Sequence, residues 1–291
     1  MKKIILSGFL SLMATTGLTS VASATTCSIS GSIDFAYTGA IETCTVSQAG
    51  LYGITAMGGA GGDHYVVDAQ GDISLSSGEV ISVIVGSGPV SNKSANGSYY
   101  ATGAGGSFIF QGSGSGATPL IVAGGGGGWS GSGSYGANAS ITTSGTPAGG
   151  VNGVNGENGG NSYGQGGEGY LAILATQTTT GGVFGGGGAG NASGYGSGGG
   201  GGGYSGGGGG GLNGPGGGGG SFVISTATNT SIASDSNTNL YSSGSVDFAL
   251  INTTASSPPP SSVPEPSAIA VFASAIAGLV FARFWMKRRN T

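Results

Sequence analysis

The chain has 291 residues, of which 69 are glycine, a share of about 24 % where about 7 % is usual. Charged residues make up only 6 %, against an ordinary share of about 25 %, which argues against a cytosolic globular enzyme. Between positions 4 and 282 the single cation is Lys93. Because nucleic-acid binding needs clustered Lys or Arg, the composition excludes DNA and RNA as partners.

The N-terminus has the order of features found in a secretory signal. Two lysines precede an apolar stretch, and Ala22-Ser23-Ala24 has the small-x-small form that a signal peptidase reads. We therefore expect residues 1–24 to be a signal peptide. A lipoprotein signal at Cys27 is the alternative, although the residue before a lipid-bearing cysteine should be small and here it is Thr26.

Cys27 and Cys44 are the only cysteines in the chain. In an exported protein such a pair can close a disulfide worth about 3 kcal/mol, and we expect a bridge that ties the N-terminal segment to the first strand. Free or partner-linked thiols are the alternative. Two cysteines and the single histidine, His64, make no convincing zinc site, so no metal or other cofactor is expected.

Short apolar stretches broken by Gly or Ser predict strands. No soluble helix of convincing length lies among them, so the pattern predicts a mainly β fold and, within that class, a β-sandwich. The predicted strands cover 41–46, 50–57, 71–75, 79–85, 107–110, 119–123, 169–174, 221–225 and 245–251.

Between positions 124 and 220, 46 of the 97 residues are glycine, and no strict period of three runs through them. Collagen is therefore excluded. Fixing a backbone costs about 1–2 kcal/mol per residue, so order here needs hydrogen bonds between neighbouring backbones. A polyglycine-II helix directs its N–H and C=O groups outward in three directions and can supply them. Scattered aromatics favour such packing, and an unstructured linker is the alternative.

Nothing in the body predicts catalysis. Two matches to the G-x-S-x-G spelling, at 160–164 and 203–207, are expected by chance at this glycine content, and no predicted helix follows either. His64 is the only histidine that could serve as a general base. We therefore expect no catalytic residues and a protein that is not an enzyme.

Six segments resemble, in order, the glycine-rich domain family of secreted proteins. They cover 33–63 (IDFAYTGAIETCTVSQAGLYGITAMGGAGGD), 78–86, 119–128, 198–211, 216–223 and 244–251. The family occurs in bacterial surface proteins and in the extracellular part of anaplastic-lymphoma-type receptor kinases. For residues 25–252 the resemblance implies a jelly-roll-like β-sandwich that carries a bundle of polyglycine-II helices. Met57, where an aromatic is common, and insertions near 142–150 depart from the family pattern and leave the length of individual rods open.

A Pro/Ser-rich spacer at 253–262 leads into a C-terminal segment with three parts. Val263, Pro264, Glu265 and Pro266 come first, an apolar stretch follows, and basic residues close the segment. The 19 residues from 268 to 286 would reach about 28 Å as a helix, close to the roughly 30 Å hydrocarbon core. We expect a transmembrane helix there. The basic residues are Arg283, Lys287, Arg288 and Arg289, and they place the C-terminus on the cytoplasmic side.

This order of features at 263–291 resembles the PEP-CTERM sorting signal of Gram-negative bacteria. The resemblance implies an exosortase-like processing enzyme as a partner and an inner-membrane precursor whose helix is removed. A plain single-pass anchor is the alternative.

Together these features predict an exported, noncatalytic structural or adhesive protein of the cell surface or of an extracellular polysaccharide matrix. Its expected partners are polysaccharide or further copies of itself. Sugar rings stack on aromatic side chains, so Trp129 and Tyr204 are candidate contact residues; padding between rods and sandwich is the alternative role. A receptor- or ligand-binding module, acting through loops at the tip of the glycine bundle, is the second functional hypothesis.

Overall fold

The structure is a computed structural model. It describes residues 25–27, 31–61, 65–146, 154–157, 163–176, 185–236, 239 and 241–253. The predicted signal peptide, His64, residues 254–262 of the spacer and the sorting segment with its helix at 268–286 lie outside these ranges. Within them, no helix has the length and apolar character needed to span a membrane.

The described part of the chain is mainly β. Its helical elements are α1 (Tyr170–Thr176) and a short 3-10 turn at Gly114–Gly116. The strands are β1 (Thr25–Cys27), β2 (Ser32–Ala36), β3 (Glu42–Val46), β4 (Gly50–Met57), β5 (Tyr65–Leu75), β6 (Val80–Ile84), β7 (Ser91–Lys93), β8 (Tyr99–Ala101), β9 (Ser107–Gln111), β10 (Thr118–Ala123), β11 (Phe222–Val223), β12 (Thr228–Ser236) and β13 (Ser245–Thr253).

The strands form two large sheets and one hairpin. One sheet has six strands in the order β1-β3-β6-β9-β10-β11, and the other has five in the order β12-β5-β4-β13-β2. Strands β3, β6, β9, β10 and β11 pair antiparallel, as do β12, β5 and β4. Strand β1 pairs parallel with β3 at one edge, and β7 and β8 form the hairpin.

The two sheets share one apolar core. Along β4, buried and half-buried residues alternate, as expected when a strand has only one face against a core. Tyr52 and Phe248 of the five-stranded sheet lie in the same buried cluster as Ile81 and Ile121 of the six-stranded sheet, and the Tyr52 and Phe248 rings are 5.0 Å apart. This packing is consistent with a β-sandwich.

The strand predicted at 169–174 is wrong, because this stretch forms α1. Tyr170, Ile173 and Leu174 have the spacing of one helix face, and they pack against an apolar cluster on the six-stranded sheet. The Asn155 Oδ1 atom accepts a hydrogen bond from the Gly169 N–H at 2.8 Å, just before the helix begins. Apolar contact on one face therefore decides between helix and strand here.

Cys27 and Cys44 are joined by a disulfide, with their Cα atoms 5.2 Å apart. Both side chains are fully buried. Because Cys27 belongs to the edge strand β1 and Cys44 to β3, the bond ties the start of the described chain to the six-stranded sheet.

Asp68 in β5 predicts a pH dependence of stability. Burial, and then the nearby carboxylate of Asp235 in β12, raise the pKa of Asp68 above its ordinary value, and Asp68 Oδ1 is buried without a hydrogen-bond partner. A raised folded-state pKa means that the folded protein binds the proton more tightly than the unfolded chain. Stability should therefore rise as the pH falls from 7 through the raised pKa, and level off below about 3.9, the ordinary value for Asp.

Urea denaturation between pH 7 and pH 4 measures this effect. Asp68→Asn removes the half-buried charge, so we expect it to raise the free energy of unfolding at pH 7 and to flatten the pH profile. A profile with the same slope in the variant would contradict the assignment to Asp68.

Candidate functional site

The glycine-rich segments run beside one another and are joined by backbone hydrogen bonds. We call these segments the glycine network; it comprises 101–106, 124–128, 154–157, 164–168, 185–190, 198–203, 206–210 and 214–220. Segment 198–203 lies at its centre.

The six N–H groups of segment 198–203 donate to three neighbouring segments in strict rotation. Every third N–H group of the segment donates to the same neighbour. The carbonyl that accepts the second of these bonds lies three residues further along that neighbour than the carbonyl that accepts the first. The pairs are Gly198 to Gly214, Gly199 to Ala101, Gly200 to Gln165, Gly201 to Gly217, Gly202 to Ala104 and Gly203 to Glu168, with N···O distances from 2.7 to 3.2 Å.

The carbonyl groups of the same segment accept from three other neighbours. The N···O distances are 2.7 to 2.9 Å, and the pairs, written donor to acceptor, are Gly210 to Gly198, Gly128 to Gly199, Gly188 to Gly200, Gly207 to Gly201 and Gly125 to Gly202. The central segment is therefore bonded to six surrounding backbones.

Segment 101–106 repeats this rotation with another set of partners. Its N–H groups donate in turn to the carbonyls of Trp129, Val90, Gly188, Gly126, Ser87 and Gly185, at 2.8 to 3.0 Å. Each partner segment is again met at every third residue, here in the opposite chain direction. The hydrogen-bond partners therefore repeat every three residues, although the amino-acid sequence has no period of three.

Close approach of the backbones is what requires glycine at the centre of the network. A Cβ atom added to any residue of 198–203 would lie closer than 3.0 Å to a backbone carbonyl oxygen of a neighbouring segment. None of these six glycines has a positive φ, so a left-handed conformation does not explain the choice. A side chain at these positions would push the hydrogen-bonded backbones apart.

Tyr204 lies where the network meets the six-stranded sheet. Its ring stacks on Tyr170 at 4.7 Å and on Phe222 at 4.5 Å, and all three rings pack against the apolar cluster that includes Phe108 and Ile173. Burial, and then the neighbouring Tyr170, raise the pKa of Tyr204. Tyr204 is stacked against two other rings that belong to the same apolar cluster, so this geometry favours the padding role over sugar contact.

Truncation of Tyr204 should therefore reduce stability. We expect Tyr204→Ala to lower the free energy of unfolding by about 2 kcal/mol, since the stack and its apolar packing are lost. Tyr204→Phe keeps the ring and should change stability far less. Urea denaturation of both variants measures the difference, and equal stability of Tyr204→Ala and the parent protein would rule out the structural role.

Trp129 lies in a different setting, in an open cleft of about 390 Å³. We call it the aromatic cleft; it is lined by Ser91, Tyr99, Trp129, Tyr135 and Tyr241. Tyr99 and Tyr135 are each 61 % exposed and Tyr241 is 54 % exposed, while Trp129 is half-buried. Trp129 contacts Tyr241 edge to face, with ring centroids 5.7 Å apart.

The glycine network and the β7–β8 hairpin position the aromatic cleft. Trp129 directly follows segment 124–128, and its carbonyl accepts the N–H of Ala101 at 3.0 Å. In the hairpin, Tyr99 lies opposite Lys93, whose Nζ atom is 5.7 Å from the centroid of the Tyr99 ring. None of the acidic residues that the structure describes lines the cleft.

Trp129 is a contact residue predicted from the sequence, whereas its three tyrosine neighbours in the cleft are not. These residues are up to 142 positions apart in the sequence, so no local pattern links them. In the described ranges, no group of three His, Cys, Asp or Glu side chains is placed to hold a metal ion.

Comparison with protein-family models gives no match to the chain, and comparison with curated proteins gives no significant match. The family and sorting-signal resemblances stay predictions.

Proposed function

We propose that this chain is an exported, noncatalytic structural or adhesive protein of the cell surface or of an extracellular polysaccharide matrix. In this proposal the glycine network is a bundle of polyglycine-II helices on a jelly-roll-like β-sandwich. The supporting observation is the rotation of the N–H donors of 198–203 among three neighbours, since an extended helix with three residues per turn directs its hydrogen bonds in that way.

A bundle of this kind suits a structural role outside the cell. Its cohesion comes from backbone hydrogen bonds at close approach, which need few charged or large apolar side chains. Within the network segments the only charged side chains are those of Glu157 and Glu168, so ordinary changes in pH and salt should act weakly on it. The β-sandwich supplies the apolar core that the glycines lack.

The proposed route to the surface rests on the C-terminal sequence. Residues 263–266 carry the Pro-Glu-Pro motif, and Arg283 with the basic cluster at 287–289 follows the apolar stretch. We propose an inner-membrane precursor that an exosortase-like enzyme processes, followed by release to the cell surface or matrix.

Localisation in a Gram-negative host that has an exosortase tests this route. We compare the full chain, a chain ending at residue 262, and the full chain with Pro264, Glu265 and Pro266 all changed to alanine. The proposal expects the full chain at the surface, the truncated chain in the periplasm or medium, and the alanine variant held in the inner membrane. Surface delivery of all three chains would refute the sorting proposal, and retention of both the full chain and the alanine variant in the inner membrane would favour a plain anchor.

The aromatic cleft favours a second candidate function, that of a ligand-binding surface module. Its tyrosines are exposed on loops and on a short hairpin, where binding residues are often placed. Such a module would bind one ligand saturably, whereas a matrix protein would bind polysaccharide broadly and self-associate. Binding isotherms over several glycans, with analytical ultracentrifugation of the protein alone, distinguish the two functions.

A further inference from the structure

We propose that the aromatic cleft binds an acidic polysaccharide, whose sugar rings stack on Trp129 and the cleft tyrosines while a sugar carboxylate pairs with Lys93. The inference rests on the proposed matrix function for the choice of a polysaccharide. The site and the charge of the ligand follow from the geometry and charges of the cleft.

The exposure of the cleft side chains indicates a ligand that is apolar on one face and polar at its edges. Three tyrosines that are each more than half exposed surround a space of about 390 Å³, within the usual size range of ligand sites. Tyr and Trp combine an apolar ring with a polar tip. A sugar ring matches them, because its C–H face can stack on a ring and its hydroxyls can bond Tyr hydroxyls and Ser91.

Three of the four aromatic residues that line the cleft have contacts that position them before any ligand arrives. The glycine network fixes the backbone of Trp129, through the Ala101 hydrogen bond to its carbonyl, and Trp129 packs edge to face on Tyr241. Tyr99 lies in a strand pair and has Lys93 over one ring face. Preorganised aromatic side chains lose little conformational entropy on binding. The free-energy cost of ordering the cleft around a sugar is therefore small.

The charged side chains near the cleft favour an acidic sugar over a neutral one. Of the 11 acidic residues in the chain, Asp63 and Glu265 lie outside the described residues, which leaves nine, and none of these lines the cleft. Lys93 is the only basic residue in the described ranges; it does not line the cleft, but its Nζ atom lies over the ring of Tyr99, which does. The cleft edge is therefore the one described place where a sugar carboxylate can pair with a cation of the protein.

The test measures binding of two probes with the same backbone and different charge. Short oligogalacturonates and their methyl esters are titrated by calorimetry into the purified full chain, in a buffer with EDTA so that no divalent cation bridges carboxylates. The compared variants are Lys93→Gln, Lys93→Arg and Trp129→Ala. Tyr195→Ala is the matched control, because Tyr195 is 52 % exposed and does not line the cleft.

We expect the acidic probe to bind more tightly than its ester. An exposed ion pair adds only modest affinity, so Lys93→Gln should weaken the acidic probe by about threefold and leave the ester unchanged. Lys93→Arg keeps the positive charge and should bind the acidic probe more tightly than Lys93→Gln does. Trp129→Ala should weaken both probes by at least tenfold in protein that is still folded, and Tyr195→Ala should weaken neither.

Two outcomes would overturn the proposal: no binding of the acidic probe, or equal effects of Trp129→Ala and Tyr195→Ala. Equal weakening of both probes by Lys93→Gln would overturn the carboxylate pairing. The assay uses purified protein, so its failure is distinct from a failure of the sorting proposal, which is measured by localisation in cells.

Discussion

Replacing Gly201 by alanine is expected to lower the free energy of unfolding by about 3 kcal/mol, an overpacking penalty at the upper end of the usual range. The residue is buried, and an added Cβ would meet the backbone oxygens of Gly125 and Gly126 closer than 3.0 Å. Neither oxygen can rotate away as a side chain can. The methyl group must therefore separate backbones that are joined by hydrogen bonds, and several bonds of the network should weaken together.

Gly211→Ala is the matched control for this prediction. Gly211 ends one of the long glycine runs, is exposed, and has nothing within 4 Å of an added Cβ. Alanine restricts the unfolded chain more than glycine does, so this change should be neutral or stabilise by about 0.5 kcal/mol. Urea denaturation followed by circular dichroism measures both variants. Equal stability of Gly201→Ala and Gly211→Ala would show that the glycines at the centre of the network do not depend on close packing.

Removal of the disulfide is expected to cost about 3 kcal/mol, as the entropy of a closed loop of this length predicts. The double variant Cys27→Ala/Cys44→Ala opens the loop without leaving a free thiol. Strand β1 has β3 as its neighbour at the sheet edge, so it should be the first element to detach. Hydrogen exchange in residues 25–27 and 42–46 would report the detachment.

Reduction of the parent protein provides the control for the disulfide. Dithiothreitol should lower the stability of the parent protein toward that of the double variant and leave the variant unchanged. A double variant as stable as the oxidised parent would contradict the predicted role of the bond.

The β-strands that face the core on one side could be predicted from the sequence. The interval predicted at 50–57 coincides with β4 (Gly50–Met57), because alternating burial leaves a period of two in the residues. Strand β12 (Thr228–Ser236) was not predicted. Eight of its nine residues are exposed. Because neither face of the strand is buried, its sequence does not alternate between apolar and polar residues in the way that predicts a strand. Its strand conformation depends on hydrogen bonds to β5, which lies far away in the sequence.

The period of three in the glycine network could not be predicted from the sequence. In collagen only every third residue faces a crowded axis, so glycine recurs at that interval. Segment 198–203 has bonded neighbours on all sides, and every one of its positions must be glycine. A backbone that is crowded on all sides leaves a plain glycine run in the sequence, and the run alone does not distinguish a packed segment from a linker.

The candidate site could be predicted only in part, for a related reason. The sequence shows scattered aromatics in the glycine-rich part of the chain, and it offers Trp129 and Tyr204 as contact residues. Tyr99, Tyr135 and Tyr241 join it through the hairpin, the loop after segment 124–128 and the approach to β13. Tyr204 has the same residue type as these tyrosines, but its neighbours Tyr170 and Phe222 cover it. Exposure, which the tertiary fold determines, separates the two roles.

Hydrogen–deuterium exchange of the amides at 198–203, in the purified full chain, tests most directly the claim that glycine backbones hold this part of the protein together. Each of these N–H groups is bonded to a neighbouring backbone and buried, so exchange should be as slow as in the core strand β4. Exchange as fast as in the exposed turn at 95–97 would contradict the account, because it would mean that the glycine segments are solvated and move independently of one another.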